Sequence, residues 1–237
     1  MKKIISVEII YNSADLVPPY THSFHIKTYN EDNYLNVKLN LKYLEREELT
    51  EEEILAEGFT LNDDFSWEGS LDKVWKQRIE KQAETAQINT QSDISGEELA
   101  VKIFTEDTSV YGVPKDIQSW TYLMQELVQA VYEVSGKELP LKIRYRKVEP
   151  GKKSYKIDIQ PYFKNLSIEA FKETPGQTGK HSIPLNWGEL RKLMERIYIN
   201  DMYPEHASAK DPVKEGSYID PGDGLWYRFN NAIKSPS

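Results

Sequence analysis

The chain has 237 residues, 39% of them apolar with tyrosine counted, and a formal net charge of −8. It has no cysteine, which excludes disulfides, thiol nucleophiles, Cys-ligated zinc and iron–sulfur clusters. Five Trp, seven Phe and fifteen Tyr set it apart from disordered chains and supply enough burial for a core without staples.

Acids outnumber bases two to one through residue 113, and bases lead slightly from there on. An acidic whole disfavours non-specific binding to nucleic acid or anionic membrane, while the asymmetry leaves room for a local basic patch. Met1-Lys2-Lys3-Ile4-Ile5 briefly resembles a signal peptide, but Glu8 interrupts the apolar run and no small-residue cleavage site follows. No run approaches the roughly 20 apolar residues of a membrane span. The expectation is a cytoplasmic protein with no membrane association.

Alternation with period two opens the chain. Ile5, Val7, Ile9 and Tyr11 share one strand face; Tyr20, His22, Phe24 and Ile26 share the next; Leu35, Val37, Leu39, Leu41 and Tyr43 share a third. Short connections make these an antiparallel meander with one wet face. Thr50 followed by Glu53 is a capping-box pattern for a short acidic helix that Gly58 stops. Ser70 is a reasonable N-cap for a second helix, with Leu71, Val74, Trp75, Ile79, Ala83 and Ala86 on one stripe. Residues 87–98 are polar and unpatterned, the best candidate boundary.

Leu99 to Thr105 predicts a strand, and Pro114 suits the first turn of the longest helix, which runs through Tyr132 and ends at Gly136. Pro140 to Val148 and Ser154 to Tyr162 predict a hairpin around Pro150-Gly151, and Leu166 to Phe171 completes a second meander. Asn186 and Glu189 form a capping pair for a last helix carrying Leu190, Leu193, Met194 and Ile197. Residues 201–224, rich in Pro and Gly, predict a long loop, either functional or a mobile wrap. Leu225 to Phe229 adds a short strand, and residues 231–237 a frayed tail.

The phrase Trp67-Glu68-Gly69-Ser70-Leu71 before one helix is echoed by Trp187-Gly188-Glu189-Leu190 at another, each after three strands. This raises a duplicated meander-plus-helix unit, against the plainer reading that each Trp plugs a helix onto a sheet. The fold expected is α+β: largely antiparallel sheet in two three-stranded meanders, with three to four helices packed on it. Residues 1–90 form an acidic meander-plus-helices unit and 97–230 a helix-meander-helix unit, as subdomains or as one compact domain.

The constellations that could carry chemistry are weak. Lys142, Arg144 and Arg146 share one face of a strand, and Lys152, Lys153 and Lys156 follow near the turn, while Ile143, Tyr145, Tyr155 and Ile157 face the core. A basic β-ribbon could meet phosphates. The bland alternatives are a solvated face or an internal match to the acidic run Glu45–Glu57. Asp63, Asp64 and Glu68 beside Phe65 and Trp67 could bind a polar ligand or do acid–base work, though Asn-Asp-Asp is more often a turn. Asp220-Pro221-Gly222-Asp223-Gly224 lacks the ligand spacing of a calcium loop and predicts turns, with Tyr218, Trp226 and Tyr227 as a rim to a ligand site. Gly176-Gln177-Thr178-Gly179-Lys180 has the wrong spacing for a phosphate loop. His22 and His25 point to opposite faces, poor geometry for a shared metal.

No metal and no cofactor are expected, and nucleic acid is a disfavoured partner. The leading expectation is a non-catalytic binding or accessory protein, with an unknown protein or a polar small molecule as partner. The alternative is an enzyme with dispersed carboxylates acting on a polar small ligand. A pocket discriminates: an enzyme needs two or more titratable groups converging on a concave site.

Overall fold

The computed structural model describes residues 3–13, 16–31, 33–91, 99–149, 151, 154–176, 179–229 and 233–234. Among them the protein is α+β, with two open antiparallel sheets of seven and six strands and four α-helices. The chain divides into two compact units, Met1–Glu138 and Leu139–Ser237.

The first unit begins with the strands β1 (Ile4–Asn12), β2 (His22–Asn30) and β3 (Tyr34–Tyr43), as their alternation predicts. Ile9, Ile26 and Leu39 sit in one register row, fully buried, and Glu8, Lys27 and Lys38 in the next row face outward. Ile5 departs from the pattern. A register shift between Ile4 and Ser6 turns Ile4 inward and leaves Ile5 exposed. The short helix α1 (Glu51–Ala56) has the expected capping box from Thr50 and Glu53.

A fourth strand, β4 (Phe65–Asp72), then pairs with β3. It takes the place of the lead-in to a helix. Ser70 is therefore not a cap; its hydroxyl donates to Asn36 Oδ1 across the strands at 2.7 Å. Asp72 caps the helix instead, accepting from Val74 N. That helix, α2 (Lys73–Glu84), buries Trp75, Ile79 and Ala83, three residues of the expected stripe.

The two-residue β5 (Ile88–Asn89), β6 (Leu99–Thr105) and β7 (Ser109–Pro114) complete the sheet in the order β4-β3-β2-β1-β6-β7-β5. Pro114 thus closes a strand rather than opening a helix. Asp116 caps α3 (Ile117–Ser135), and Gly136 ends it in the left-handed conformation at φ 72°. Pairing of β6 with β1 and packing of α3 on β4 and β7 place residues 99–135 in the first unit, not with the hairpin that follows. The physical reason is the free edge of β1: a meander leaves its first strand half-paired, and β6 satisfies those donors and acceptors.

In the second unit, β8 (Ile143–Val148), β9 (Tyr155–Tyr162) and β10 (Ser167–Glu173) form the predicted meander, extended by β11 (His181–Ser182). Asn186 and Glu189 form the expected capping box of α4 (Trp187–Tyr198). A two-residue strand β12 (Asp201–Met202) pairs with β15 (Ile233–Lys234). Within the supposed long loop lies β13 (Gly216–Asp220), which pairs with β8 and then with β14 (Tyr227–Arg228). The sheet order is β11-β10-β9-β8-β13-β14.

The two units follow one scheme. Four meandering strands lead to a helix, and the next major strand returns to pair with the first strand of the meander, followed by an antiparallel neighbour. The echoed tryptophan phrases are not what matches: Trp67 lies within β4, whereas Trp187 is the first residue of α4. Likeness between the units resides in strand order, and each meander has four strands rather than three.

Candidate functional site

The basic hairpin is placed as predicted, with Arg144 and Arg146 on one face of β8 and Ile143 and Tyr145 on the other. Its charges are met within the second unit. Asp220 takes Arg144, Asp211 takes Arg146 at 2.8 Å, and Glu173 takes Lys156 at 3.2 Å. Tyr218 lies beside Arg146 in register, and its hydroxyl donates to Lys214 O. Ser208 bridges to Trp226. The segment from 208 to 214 therefore wraps this face and supplies an acid to it. Lys142 is exposed and makes no ion pair among the described residues. Lys152 and Lys153 lie outside the described residues, as do Gln177 and Thr178 of the Gly-rich loop.

The turn after β13 is built around one carboxylate. Asp220 Oδ1 accepts from Gly222 N at 2.8 Å and Gly224 N at 3.1 Å, and Oδ2 accepts from Arg144. Its oxygens are consumed by the turn itself. Tyr218, Trp226 and Tyr227 are buried, at 9%, 5% and 2% exposure, so they form core rather than a rim. Arg144 lies over the Trp226 ring. Burial, and then the hydrogen bond to Asp223, pushes the Tyr227 phenol up to about 12.

The candidate acids of the first unit are also engaged. Asp63 accepts from Arg46 Nη1, Thr60 N and Thr60 Oγ1 at 2.6–2.9 Å. Burial alone raises its pKa, but these donors outweigh that and hold it below the usual carboxylate range. Asp64 accepts from Tyr43 N at 2.9 Å, and Glu68 pairs with Lys38 on the outer sheet face. Arg46 in turn lies over the Tyr43 and Phe59 rings. These acids are engaged by Arg46, Thr60, the Tyr43 amide and Lys38 within the first unit. Among the described residues, no three His, Asp or Glu side chains gather to hold a metal. No helix there is long and apolar enough to cross a membrane.

A larger concave space than the one beside Gln118, Thr121, Tyr122 and Gln125 in the first unit lies in the second unit. A cavity of about 410 Å³ is lined by the inner face of its sheet and by α4. The sheet contributes Ile143 and Tyr145 from β8, Ile157 and Ile159 from β9, and Ile219 from β13. This is the face that strand alternation assigns to the core, and the register pairs Ile143 with Ile159 and Tyr145 with Ile157. The helix contributes Leu193, Arg196 and Ile197, spaced i, i+3 and i+4 on one face, and Asn200 follows just past its C-cap Ile199. Met202 and Phe229 complete the described wall.

The core cluster of Ile143, Ile197, Ile219 and Tyr227 continues from this wall. Tyr145 contacts both Tyr155 and Phe229, with ring centroids 5.9 and 6.3 Å apart. Burial, then the neighbouring Tyr145, raises the Tyr155 phenol. Among the described lining residues Arg196 is the one formal charge, and its side chain reaches solvent. Asn200 donates to the backbone oxygens of Arg196 and Ile197, occupying acceptors of the last helical turn.

Sequence periodicity had marked Leu193 and Ile197 as the seat of the helix, and Ile143, Tyr145 and Ile157 as its floor. Ile197 packs with Ile143 and Ile219, Leu193 lies against that cluster, and the cavity remains beside this contact. Arg196, Asn200, Met202 and Phe229 carried no signal beyond the helical spacing of the first two. Compared with protein-family models, with curated proteins and with solved structures, the chain gives no match.

Proposed function

We propose that this is a non-catalytic binding protein whose second unit receives a small molecule with an apolar body. One observation carries the reading: the 410 Å³ cavity is walled by aliphatic and aromatic side chains, and no Asp, Glu, His or Lys stands among its described lining residues. Its size lies within the roughly 300–1,000 Å³ range of small-molecule sites. Removing apolar ligand surface from water supplies about 25 cal/mol per Å². General acid–base or nucleophilic chemistry would need titratable groups converging on that space. The acids expected to serve an enzyme are instead held by Arg46, Thr60, the Tyr43 amide and Lys38. We place the protein in the cytoplasm on its cysteine-free composition, with neither membrane nor nucleic acid as partner.

Native mass spectrometry of freshly purified protein tests the reading. The expected spectrum contains a bound organic molecule that dissociates on mild activation and is missing from Ile159→Trp, in which the indole fills the cavity. A wild-type protein that arrives without an adduct and gains no thermal stability from decan-1-ol overturns it.

A further inference from the structure

We propose that the cavity of the second unit takes an amphipathic anion, a medium-chain carboxylate, with its hydrocarbon in the cavity and its head group on Arg196. The proposal rests on the binding reading above and specifies its ligand class. Its first support is size. The 410 Å³ cavity lies in the lower part of the roughly 300–1,000 Å³ range of small-molecule sites. A ten- to twelve-carbon fatty acid is a ligand of that modest size.

The second support is the distribution of polarity. The sheet floor offers Ile143, Ile157, Ile159 and Ile219, which make no hydrogen bonds through their side chains and accept any aliphatic chain. Of the polar lining groups, Tyr145 belongs to the sheet, whereas Arg196 and Asn200 lie at and just past the C-terminal end of α4, and Arg196 carries the formal charge. A ligand that fills this space is best matched with one apolar end and one polar end.

The third support is the state of that polar end. Arg196 forms no ion pair among the described residues, while Arg144 and Arg146 in the same unit each have a carboxylate. A cation in the last turn also complements the helix dipole, which by itself would account for an Arg here. The dipole does not account for its place on the cavity wall in line with Leu193 and Ile197. Nor is Arg196 needed to cover the terminal carbonyls, because Asn200 Nδ2 donates to the oxygens of both Arg196 and Ile197. The guanidinium fork therefore remains able to take a carboxylate through two parallel N–H donors.

The test uses the full chain with isoleucine and methionine methyl groups labelled for NMR, titrated with decanoate, decan-1-ol and decylamine below their micelle concentrations. Decanoate is expected to shift the methyls of Ile143, Ile159, Ile219 and Met202 saturably and to bind tightest of the three. Arg196→Gln is expected to weaken decanoate roughly tenfold or more, the scale of a charge-assisted hydrogen bond, and to leave decan-1-ol unchanged. Arg196→Lys should recover part of the loss.

Equal binding of decanoate and decan-1-ol in both wild type and Arg196→Gln would overturn the anion and leave the apolar binding site standing. No shift with any of the three probes in a folded protein would overturn the site and the anion together. Arg196 is exposed, so its substitution leaves the fold intact, and methyl spectra of the free variant report directly on that.

Discussion

Arg144 and Asp220 face each other across β8 and β13, and the Asp220 carboxylate accepts from four donors: Arg144 Nε at 2.8 Å, Arg144 Nη2, and the amides of Gly222 and Gly224. One side chain thus ties a central strand to the turn that leads to β14. Asp220 is 1% exposed, so losing it strands an Arg against the Trp226 ring and leaves two turn amides without their acceptor. Asp220→Ala is expected to destabilise the second unit by about 3 kcal/mol, the scale for removing one member of a buried pair. Asp220→Asn retains an oxygen acceptor for the turn and should cost less. Urea titration followed by tryptophan fluorescence ranks the two; equal stability of Asp220→Ala and wild type would refute this role.

In the first unit, acid should expose the linkage at Asp63. Its folded pKa lies below the unfolded value, so its contribution is present above the unfolded pKa and disappears as pH falls through the folded one. Asp63→Asn should therefore destabilise the protein most at neutral pH, by about 1–3 kcal/mol, and the gap to wild type should close in acid. Thermal melts of both proteins between pH 7 and roughly pH 2 measure the closing gap.

Several tyrosines hold their protons into alkali, Tyr132 and Tyr227 furthest among them. Burial, before any other cause, pushes Tyr132 up to about 12, and Tyr227 is pushed equally high. A raised tyrosine pKa means that the folded state keeps the proton longer than the unfolded chain. The stabilising contribution is intact below the ordinary value near 10 and is lost as pH rises towards 12. Tyr227→Phe loses the hydrogen bond to Asp223 at every pH but should show a shallower decline above pH 10 than wild type. Denaturation midpoints across that interval distinguish the slopes.

The seven-stranded sheet makes a steric prediction at its β7–β5 edge. A Cβ on Gly112 would stand 2.1 Å from the Asn89 carbonyl oxygen, a backbone atom that cannot swing aside. Gly112→Ala is expected to cost about 1–3 kcal/mol, as overpacked sites do, and to detach β5 before the rest of the sheet. Hydrogen exchange at Ile88 and Asn89 should accelerate while exchange at Ile9 and Ile26 remains slow. Unchanged exchange at Ile88 would show that the edge yields without loss.

Local signals were read where the physics is local. Both capping boxes, Thr50 with Glu53 and Asn186 with Glu189, are closed by residues three apart and depend on nothing beyond their own turn. The run Leu35–Leu41 alternates because a strand with one wet face must. The fourth strand of each meander and β13 carry no clear period, β11 and β13 for one reason and β4 for another. β11 has two residues, and β13 follows a Pro- and Gly-rich stretch and contributes only Gly216–Asp220, too short for a period to emerge. β4 is longer, but Gly69 and alternating half-buried positions dilute its pattern.

By itself, then, the sequence determined the α+β class, three strands of each meander, the inward faces of β8 and β9 and the capping boxes of α1 and α4, since propensity, alternation and capping operate within a few residues. Tertiary structure decided which partner each charge received. Asp211 and Asp220 neutralise a hairpin more than sixty residues earlier, which no local pattern encodes. It also decided that Ile197 of α4 packs with Ile143 and Ile219 while a cavity remains beside Arg196. The same apolar stripe would describe a helix packed flush, because a stripe sets the direction of burial and the opposing side chains set the distance.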